Sequence, residues 1–227
     1  MLSTGLGKMS VQRSSKCSFR SRPRIAAVRV VSTGRTVGRS RPPAPDLDVD
    51  EFVNAAHEEP AAAITMLGRN HELGASRSSW GETALEAASH LGHHHLIRRL
   101  FEIGVPTDLF SACAIGDRLA VAARLAELPA SGCGVHRLPM LHFGIVSRDL
   151  GMLALLVDEG VAVNPRGASV PPLHSAVAIG SGPMVEALLG AGADLQATDA
   201  FGATALDWAT ELNTLDPALI GQLGQGN

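Results

Sequence analysis

The chain has 227 residues, of which 45% are hydrophobic, so it is long enough for one or two domains with a substantial core and is not expected to be disordered throughout. Its formal net charge of −3 hides an uneven distribution, because ten of the 19 lysines and arginines lie in residues 1–45 whereas all 22 aspartates and glutamates lie in residues 46–227. With nine basic residues against 22 acidic ones, the longer part has a net charge of −13, which makes it a poor candidate for binding a nucleic-acid backbone.

Residues 1–45 form a basic leader that is rich in arginine and serine and ends in a proline-rich stretch. We expect it to be disordered. Its composition is that of an organellar transit peptide, but it also fits a basic tail that contacts anionic partners, or upstream sequence translated from a start codon assigned too early. The leader lacks the apolar core of a secretory signal, and no run in the chain approaches the roughly 18 apolar residues of a transmembrane helix.

The three cysteines, Cys17, Cys113 and Cys133, are an odd number without a close pair. This pattern argues against a secreted disulfide framework and favours a reducing compartment. We therefore expect a cytoplasmic protein, or a mitochondrial or plastid protein if the leader is a transit peptide.

Residues 46–227 contain an internal repeat. In each of three segments a leucine is followed 19 residues later by a glycine, with two short amphipathic stretches between them. The pairs are Leu85 with Gly104, Leu141 with Gly160, and Leu173 with Gly192. This pattern predicts pairs of antiparallel helices. Because one helical hairpin of this length cannot bury its apolar face alone, the pairs are expected to stack.

Residue types at the ends of these helices support the prediction. Thr83 and Thr204 are of the type that caps a helix, and Pro172 is of the type that opens one. The three glycines lie where the second helix must stop, and glycine adopts the left-handed cap conformation without steric cost.

The segments GETALEAASHLGH, PPLHSAVAIG and FGATALDWA resemble the openings of ankyrin repeats, and GAGADLQATD resembles their closing turn. The resemblance implies an all-α fold, an ankyrin-like α-solenoid of stacked helix-turn-helix units with short hairpin-like connecting loops. The expected units are residues 48–79 (degenerate), 80–108, 109–136 (degenerate), 137–168, 169–200 and 201–227 (capping). The third of them has a Gly116-Asp117 hinge but no hairpin before it.

The resemblance also assigns structural roles to particular positions. His142 and His174 occupy a histidine position whose imidazole bridges adjacent units in such folds, and Glu86 and Asp207 replace it in two other units. The structural positions are Thr83, Leu85, Gly92, Gly104, Leu141, His142, Gly160, Leu173, His174, Gly192, Thr204 and Leu206.

The stretch SHLGHHHLIRRL, residues 89–100, raises the question of a metal site. Gly92-His93 falls at the hinge between two helices, so we expect His93 to be a capping or solvated residue of the second helix. The break at Gly92 separates His90 from the following histidines, and a zinc ion would still need further fixed ligands. We therefore predict no metal site.

Nothing in the sequence supports catalysis. Cys133 and His136 lie in a short glycine-rich connector without a third, orienting group, so we interpret Cys133 as a loop cysteine. Neither a phosphate-binding loop nor a dinucleotide fingerprint is present in the sequence. We expect no catalytic residue and no cofactor.

The resemblance implies a binding surface on the concave side, formed by the loop tips and by outward positions of each first helix. The candidate residues are Arg77, Trp80, His90, His136, Arg137, Phe143, Val146, Arg166, Asp199, Phe201 and Trp208. Aromatic residues and arginine are enriched among interface hot spots. The four large aromatic residues of this set also fit partial burial between units.

The sequence thus predicts a monomeric, non-catalytic module that binds another protein, with no small-molecule substrate and no nucleic acid on the repeats. The alternative is tethering to nucleic acid or another anionic surface through the basic leader, with the repeats as a scaffold. A zinc-dependent activity at the histidines is a third hypothesis. The partner itself is not encoded in any motif.

Overall fold

The computed structural model describes residues 47–129 and 131–226, so the predicted leader at residues 1–45 lies outside the described residues. The described ranges contain six consecutive pairs of α-helices and no strand beyond isolated bridges. The helices are Leu47–Glu58 (α1), Pro60–Arg69 (α2), Ala84–Leu91 (α3), His94–Glu102 (α4), Leu109–Ala114 (α5), Arg118–Arg124 (α6), Met140–Val146 (α7), Leu150–Asp158 (α8), Pro172–Ala178 (α9), Gly182–Gly190 (α10), Ala205–Leu212 (α11) and Pro217–Leu223 (α12). The prediction of an all-α fold is confirmed.

The pairs stack in two layers. The first helices form one layer, in which α1 packs on α3, α3 on α5, α5 on α7, α7 on α9 and α9 on α11. The second helices form the other layer, in which α2 packs on α4, α6 on α8 and α8 on α10. This stacking confirms the predicted solenoid, in which neighbouring pairs together bury a continuous core.

The third pair interrupts the regular pattern. Isolated antiparallel bridges close a hairpin between Arg77 and Thr83, between Cys133 and Pro139, and between Thr198 and Thr204. Neither residues 103–108, which lead from α4 to α5, nor residues 159–171, which lead from α8 to α9, contain such a bridge. The connection from α4 to α5 is the shorter of the two, and α4 packs more weakly on α6 than α6 does on α8. Helix α3 also contacts α7 directly, across α5. The hairpin before α3 and the hairpin before α7 are therefore neighbours in space.

Local capping explains where the helices begin and end. The side-chain oxygens of Thr83 and Thr204 each accept a hydrogen bond from a backbone N–H of the first turn. The carboxylate of the acidic residue three positions later accepts the backbone N–H of the threonine, which completes a capping box. Gly104, Gly160 and Gly192 follow α4, α8 and α10 with φ of 90°, 80° and 83°. Only a residue without a Cβ adopts this backbone conformation freely.

The core is made of apolar residues from both layers. Among the largest fully buried side chains are Phe52 of α1, Leu96 of α4, Phe143 of α7 and Leu156 of α8. None of the helices in the described ranges is both long enough and apolar enough to cross a membrane.

Candidate functional site

The candidate surface residues divide by their exposure. Five of them are exposed, and all five lie on the loops that precede the first helices: Arg77, Trp80, Arg137, Arg166 and Phe201. Trp80 is 48% exposed and Phe201 is 82% exposed, which is unusual for large aromatic side chains. These five residues are called the hairpin surface below.

Three of the predicted surface residues are buried. Phe143 is fully buried, and Val146 and His90 are each 8% exposed. Helix α7 is enclosed by α3, α5, α8 and α9, so positions that the repeat register directs outward face neighbouring helices instead. The rings of Phe143 and Phe110 pack with their centroids 4.9 Å apart. Phe143 and Val146 are therefore not part of the hairpin surface.

Asp199 and Trp208 hold the last hairpin together. One carboxylate oxygen of Asp199 accepts hydrogen bonds from the backbone N–H groups of Phe201 and Ala203, both at 2.9 Å. The other oxygen accepts the indole N–H of Trp208 at 3.0 Å. Both side chains are half-buried, and they fix the turn that presents Phe201.

His90 and His136, which the sequence placed in the candidate surface, meet His57 and Glu82. One possible ligand atom from each of these four residues lies within 4.8 Å of all the others. The Oε1 atom of Glu82 lies 2.9 Å from Nε2 of His136, 3.4 Å from Nε2 of His57 and 3.7 Å from Nδ1 of His90. These four residues are called the His–Glu cluster below.

The cluster joins segments that are far apart in the sequence. His57 lies in the last turn of α1, Glu82 in the hairpin before α3, His90 on α3, and His136 in the 3-10 turn before α7. His136 reaches Glu82 across 54 positions because no hairpin separates the two loops in space. Its backbone has a left-handed φ of 55°, which is uncommon for a residue with a side chain. Glu82 and His90 are buried, and His57 and His136 are half-buried.

Second contacts orient three of the four side chains. The Nδ1–H of His57 donates to the carbonyl of Val53 at 2.8 Å, so its Nε2 faces the cluster. Oε2 of Glu82 accepts the indole N–H of Trp80 at 3.1 Å, which leaves Oε1 for the histidines. The Nδ1–H of His90 donates to the carbonyl of Glu86 at 3.0 Å.

Glu82 is the ionised carboxylate of the cluster. Burial by itself raises the pKa of Glu82, but hydrogen bonds from His136 and His57 outweigh it and hold that pKa well below its usual range. Burial lowers the pKa of His90 to about 3, so this imidazole is neutral near pH 7. Burial also lowers the pKa of His57, but its hydrogen bonds to Glu82 and to the carbonyl of Val53, together with the charges of Glu82 and Glu58, outweigh burial and raise that pKa overall.

The three consecutive histidines that follow Gly92 do not join this cluster. The Nε2–H of His93 donates to the carbonyl of His57 at 3.1 Å, and the Nε2–H of His94 donates to the carbonyl of Val146 at 3.1 Å. His95 is exposed. His93, expected to be a capping or solvated residue, stands at the N-cap of α4 without a side-chain capping bond and links α4 to α1.

Sequence reasoning missed His57 and Glu82. Helix α1 belongs to the degenerate first unit, so no repeat register placed His57 on a particular face. The signal for Glu82 was its position one residue before the capping threonine, at the base of a hairpin. Only the path of the chain around the third pair brings these two residues together with His136.

The stacked helical pairs joined by hairpins define a solenoid repeat protein. The ankyrin repeat family model matches residues 171–200, which contain α9 and α10. Over 173 residues, or 75% of the chain, the sequence is 27% identical to Neurogenic locus notch homolog protein 1 of Xenopus tropicalis, and equally to the protein of that name in Xenopus laevis. The matched region spans only 6% of the length of those relatives. These two matches support the resemblance to ankyrin repeats that the motifs predicted.

Proposed function

We propose that this protein is a non-catalytic module that binds a partner protein through the hairpin surface, on the concave side of the ankyrin solenoid. Ankyrin repeats generally mediate protein–protein interaction, and the family is generally non-enzymatic. The match at residues 171–200 therefore supports the binding class without naming a partner.

The observation that carries the proposal is the exposure of two large aromatic side chains at hairpin tips. Trp80 and Phe201 stand on hairpins whose conformations are fixed by Glu82 and Asp199, respectively. Rigid loops lose little conformational entropy when they bind, so anchors of this kind give affinity at low cost. Tryptophan and arginine are also the residues most enriched among interface hot spots.

The hairpin surface also contains Arg137 and Arg166, which lie between Trp80 and Phe201 in the sequence. Both side chains are exposed, and the carbonyl of Arg137 accepts the backbone N–H of Ser169 at 3.1 Å, which ties the loop before α9 to the loop before α7. Exposed guanidinium groups recognise carboxylates with two parallel hydrogen bonds. We therefore expect a partner segment that combines apolar anchors with acidic residues.

The test begins with capture from native lysate on the full chain and on residues 46–227, each washed at low and at high salt. The captured protein is then purified, and its affinity is measured for Phe201→Ala, for Arg137→Ala with Arg166→Ala, and for Leu119→Ala as a control. Leu119 is 86% exposed on α6, away from the hairpins. We expect the first two variants to weaken binding at least about tenfold and the control to leave it unchanged.

Unchanged affinity in the hairpin variants would contradict the proposed surface. Capture by the full chain alone, with the bound material removed by salt, would instead assign binding to the basic leader. That second result would favour tethering to an anionic partner, because screening by salt weakens such contacts steeply.

A further inference from the structure

We propose that the His–Glu cluster binds one divalent transition-metal ion, with zinc the best match, and that this ion ties together the first, second and fourth helix pairs. The proposal departs from the sequence-based expectation of no metal site. It stands independently of partner binding, because it rests on four side chains that face each other.

The spacing of the donor atoms fits a tetrahedral ion. With metal–ligand bonds of about 2.0–2.1 Å, the edges of a coordination tetrahedron are about 3.3 Å long. The three distances from Glu82 Oε1 are 2.9, 3.4 and 3.7 Å, which lie on both sides of this value. The four donor atoms all lie within 4.8 Å of one another, so closing around an ion requires side-chain shifts of about one ångström.

The chemistry of the donors selects the class of metal. Three imidazole nitrogens and one carboxylate oxygen suit zinc and its transition-metal neighbours, whereas magnesium and calcium prefer oxygen ligands alone. Four protein donors complete the tetrahedron, and two of the four residues are buried. A closed set of this kind is typical of a structural site, because a catalytic zinc keeps one position open for water or substrate.

The hydrogen bonds around the cluster point to a cation at its centre. His57 uses its Nδ1–H on the carbonyl of Val53, so a neutral His57 directs the lone pair of Nε2 towards the Glu82 carboxylate. A proton or a metal ion has to lie between these two acceptors. Within the described residues, every ion-pair partner of Glu82 is a histidine, so no arginine supplies the balancing charge there.

The hydrogen bonds from the four residues to groups outside the cluster are of the types found around known metal sites. Metal-bound histidine usually donates its other N–H to a carbonyl or carboxylate, as His57 does to Val53. The indole N–H of Trp80 fixes the free oxygen of Glu82 in the same way. His90 is the exception, because its Nδ1 is already 3.0 Å from the carbonyl of Glu86 and must give up that hydrogen bond to bind. We therefore expect His90 to be the weakest of the four ligands.

The experiment uses the full chain without a polyhistidine tag, stripped with a chelator and dialysed. Zinc is then titrated in, and bound metal is counted by elemental analysis after gel filtration. We expect about one zinc per chain, and a Co²⁺-loaded sample with the intense visible absorption of a tetrahedral site. X-ray absorption on the zinc form should show three imidazole ligands and one oxygen ligand.

Variants assign the site to its residues. We expect His57→Gln, Glu82→Gln and His136→Gln to weaken zinc binding by more than about 100-fold, and Trp80→Phe, which removes only an outer hydrogen bond, by about 10–100-fold. The matched control is His95→Gln, an exposed histidine of the same HHH run, for which binding should not change. Zinc should raise the Tm of the parent and of His95→Gln, but not that of His136→Gln, and Mg²⁺ should raise none of them.

Three results would overturn the proposal. The first is less than about 0.1 zinc per chain in the stripped and reloaded parent. The second is zinc binding that survives both His136→Gln and Trp80→Phe, two changes in half-exposed loop positions that should leave the fold intact. The third is loss of binding in His95→Gln, which would assign the metal to the consecutive histidines after Gly92.

Discussion

At the scale of single residues, one position of the first helix takes two different roles. His142 bridges units, because its Nε2–H donates to the carbonyl of His90 at 2.7 Å and its Nδ1 accepts the hydroxyl of Ser175 at 2.8 Å. Glu86 and Asp207, at the same position of other units, turn back and accept the backbone N–H of the capping threonine, each at 2.8 Å. A histidine such as His142 at this position therefore links two units, whereas an acidic residue caps its own helix.

His174 makes only one of the two hydrogen bonds that His142 makes. Its Nε2–H donates to the carbonyl of Ala203 at 2.9 Å, but its buried Nδ1 has no hydrogen-bond partner. The position that holds Ser175 opposite His142 holds Trp208 opposite His174, and the two rings meet edge to face with centroids 5.4 Å apart. A proton on Nδ1 would thus have no acceptor. Burial lowers the pKa of His174, and the carbonyl of Ala203 with Asp199 and Asp207 offsets only part of that effect.

This environment predicts a loss of stability in mild acid. Because the folded-state pKa of His174 is below the unfolded value of 6.5, the unfolded chain binds the proton more tightly. The contribution of neutral His174 to the free energy of unfolding is fully present above pH 6.5. It is lost as the pH falls from 6.5 through the folded-state pKa. We expect the free energy of unfolding, measured by urea denaturation between pH 7.5 and pH 4.5, to fall less steeply in His174→Gln than in the parent.

His95→Gln is the control, since its exposed ring should leave the slope unchanged. The raised pKa of His57 acts in the opposite direction in all three proteins, so it cancels in the comparison. If the free energy of unfolding falls equally steeply with pH in the parent and in His174→Gln, protonation of His174 is not the cause of the loss of stability in acid.

At the scale of elements, the junction between α3 and α4 is a point of close approach. Gly92 ends α3 with a φ of 68°, and a Cβ added there would lie 2.9 Å from the carbonyl oxygen of Val146 on α7. The same carbonyl accepts the Nε2–H of His94. The glycine therefore serves both the turn within its own pair and the contact between α3 and α7.

We expect Gly92→Ala to lower the free energy of unfolding by about 2–4 kcal/mol, from the left-handed backbone, worth about 1–2 kcal/mol, and from the contact with a backbone atom that cannot move freely. Gly68→Ala is the matched control, because Gly68 lies inside α2 and an added Cβ meets nothing within 4 Å. That change should raise the stability by about 0.5–1 kcal/mol, as alanine favours a helix. Equal effects in urea denaturation would contradict the assigned role of Gly92.

The features of the fold that depend on short-range sequence pattern, the helix pairs and their caps, were predicted from the sequence. The spacing from Leu141 to Gly160 and the cap at Thr83 predicted pairs of helices, because helix period and capping are local properties. The burial of Phe143 was left open by the sequence, since the repeat register directs it outward whereas in the fold its ring packs on Phe110 of α5. The direct contact between α3 and α7 was not predictable from local pattern. The same contact brings His136 to Glu82, so the His–Glu cluster could be found only in three dimensions.

At the scale of the whole molecule, the stack is uneven. Helices α5 and α6 have six and seven residues, against nine for α8 and for α10, and the second layer is weaker between α4 and α6 than between α6 and α8. In a repeat protein, stability is approximately a sum of unit and neighbour contributions, so a weak interface opens locally. The His–Glu cluster spans this region, since it links α1, α3 and the hairpin before α7.

Amide hydrogen exchange should therefore be faster in residues 48–130 than in residues 140–223, with α5 and α6 opening most easily. Zinc should slow exchange in α1 and α3, which carry His57 and His90, and leave α10 and α11 unchanged, because those helices do not contribute to the cluster. The comparison is made by mass spectrometry on the full chain, with and without zinc, and His136→Gln removes the zinc effect if the cluster binds the ion. Faster exchange in the C-terminal half would contradict this prediction, because it would show that the missing hairpin before α5 does not weaken the stack.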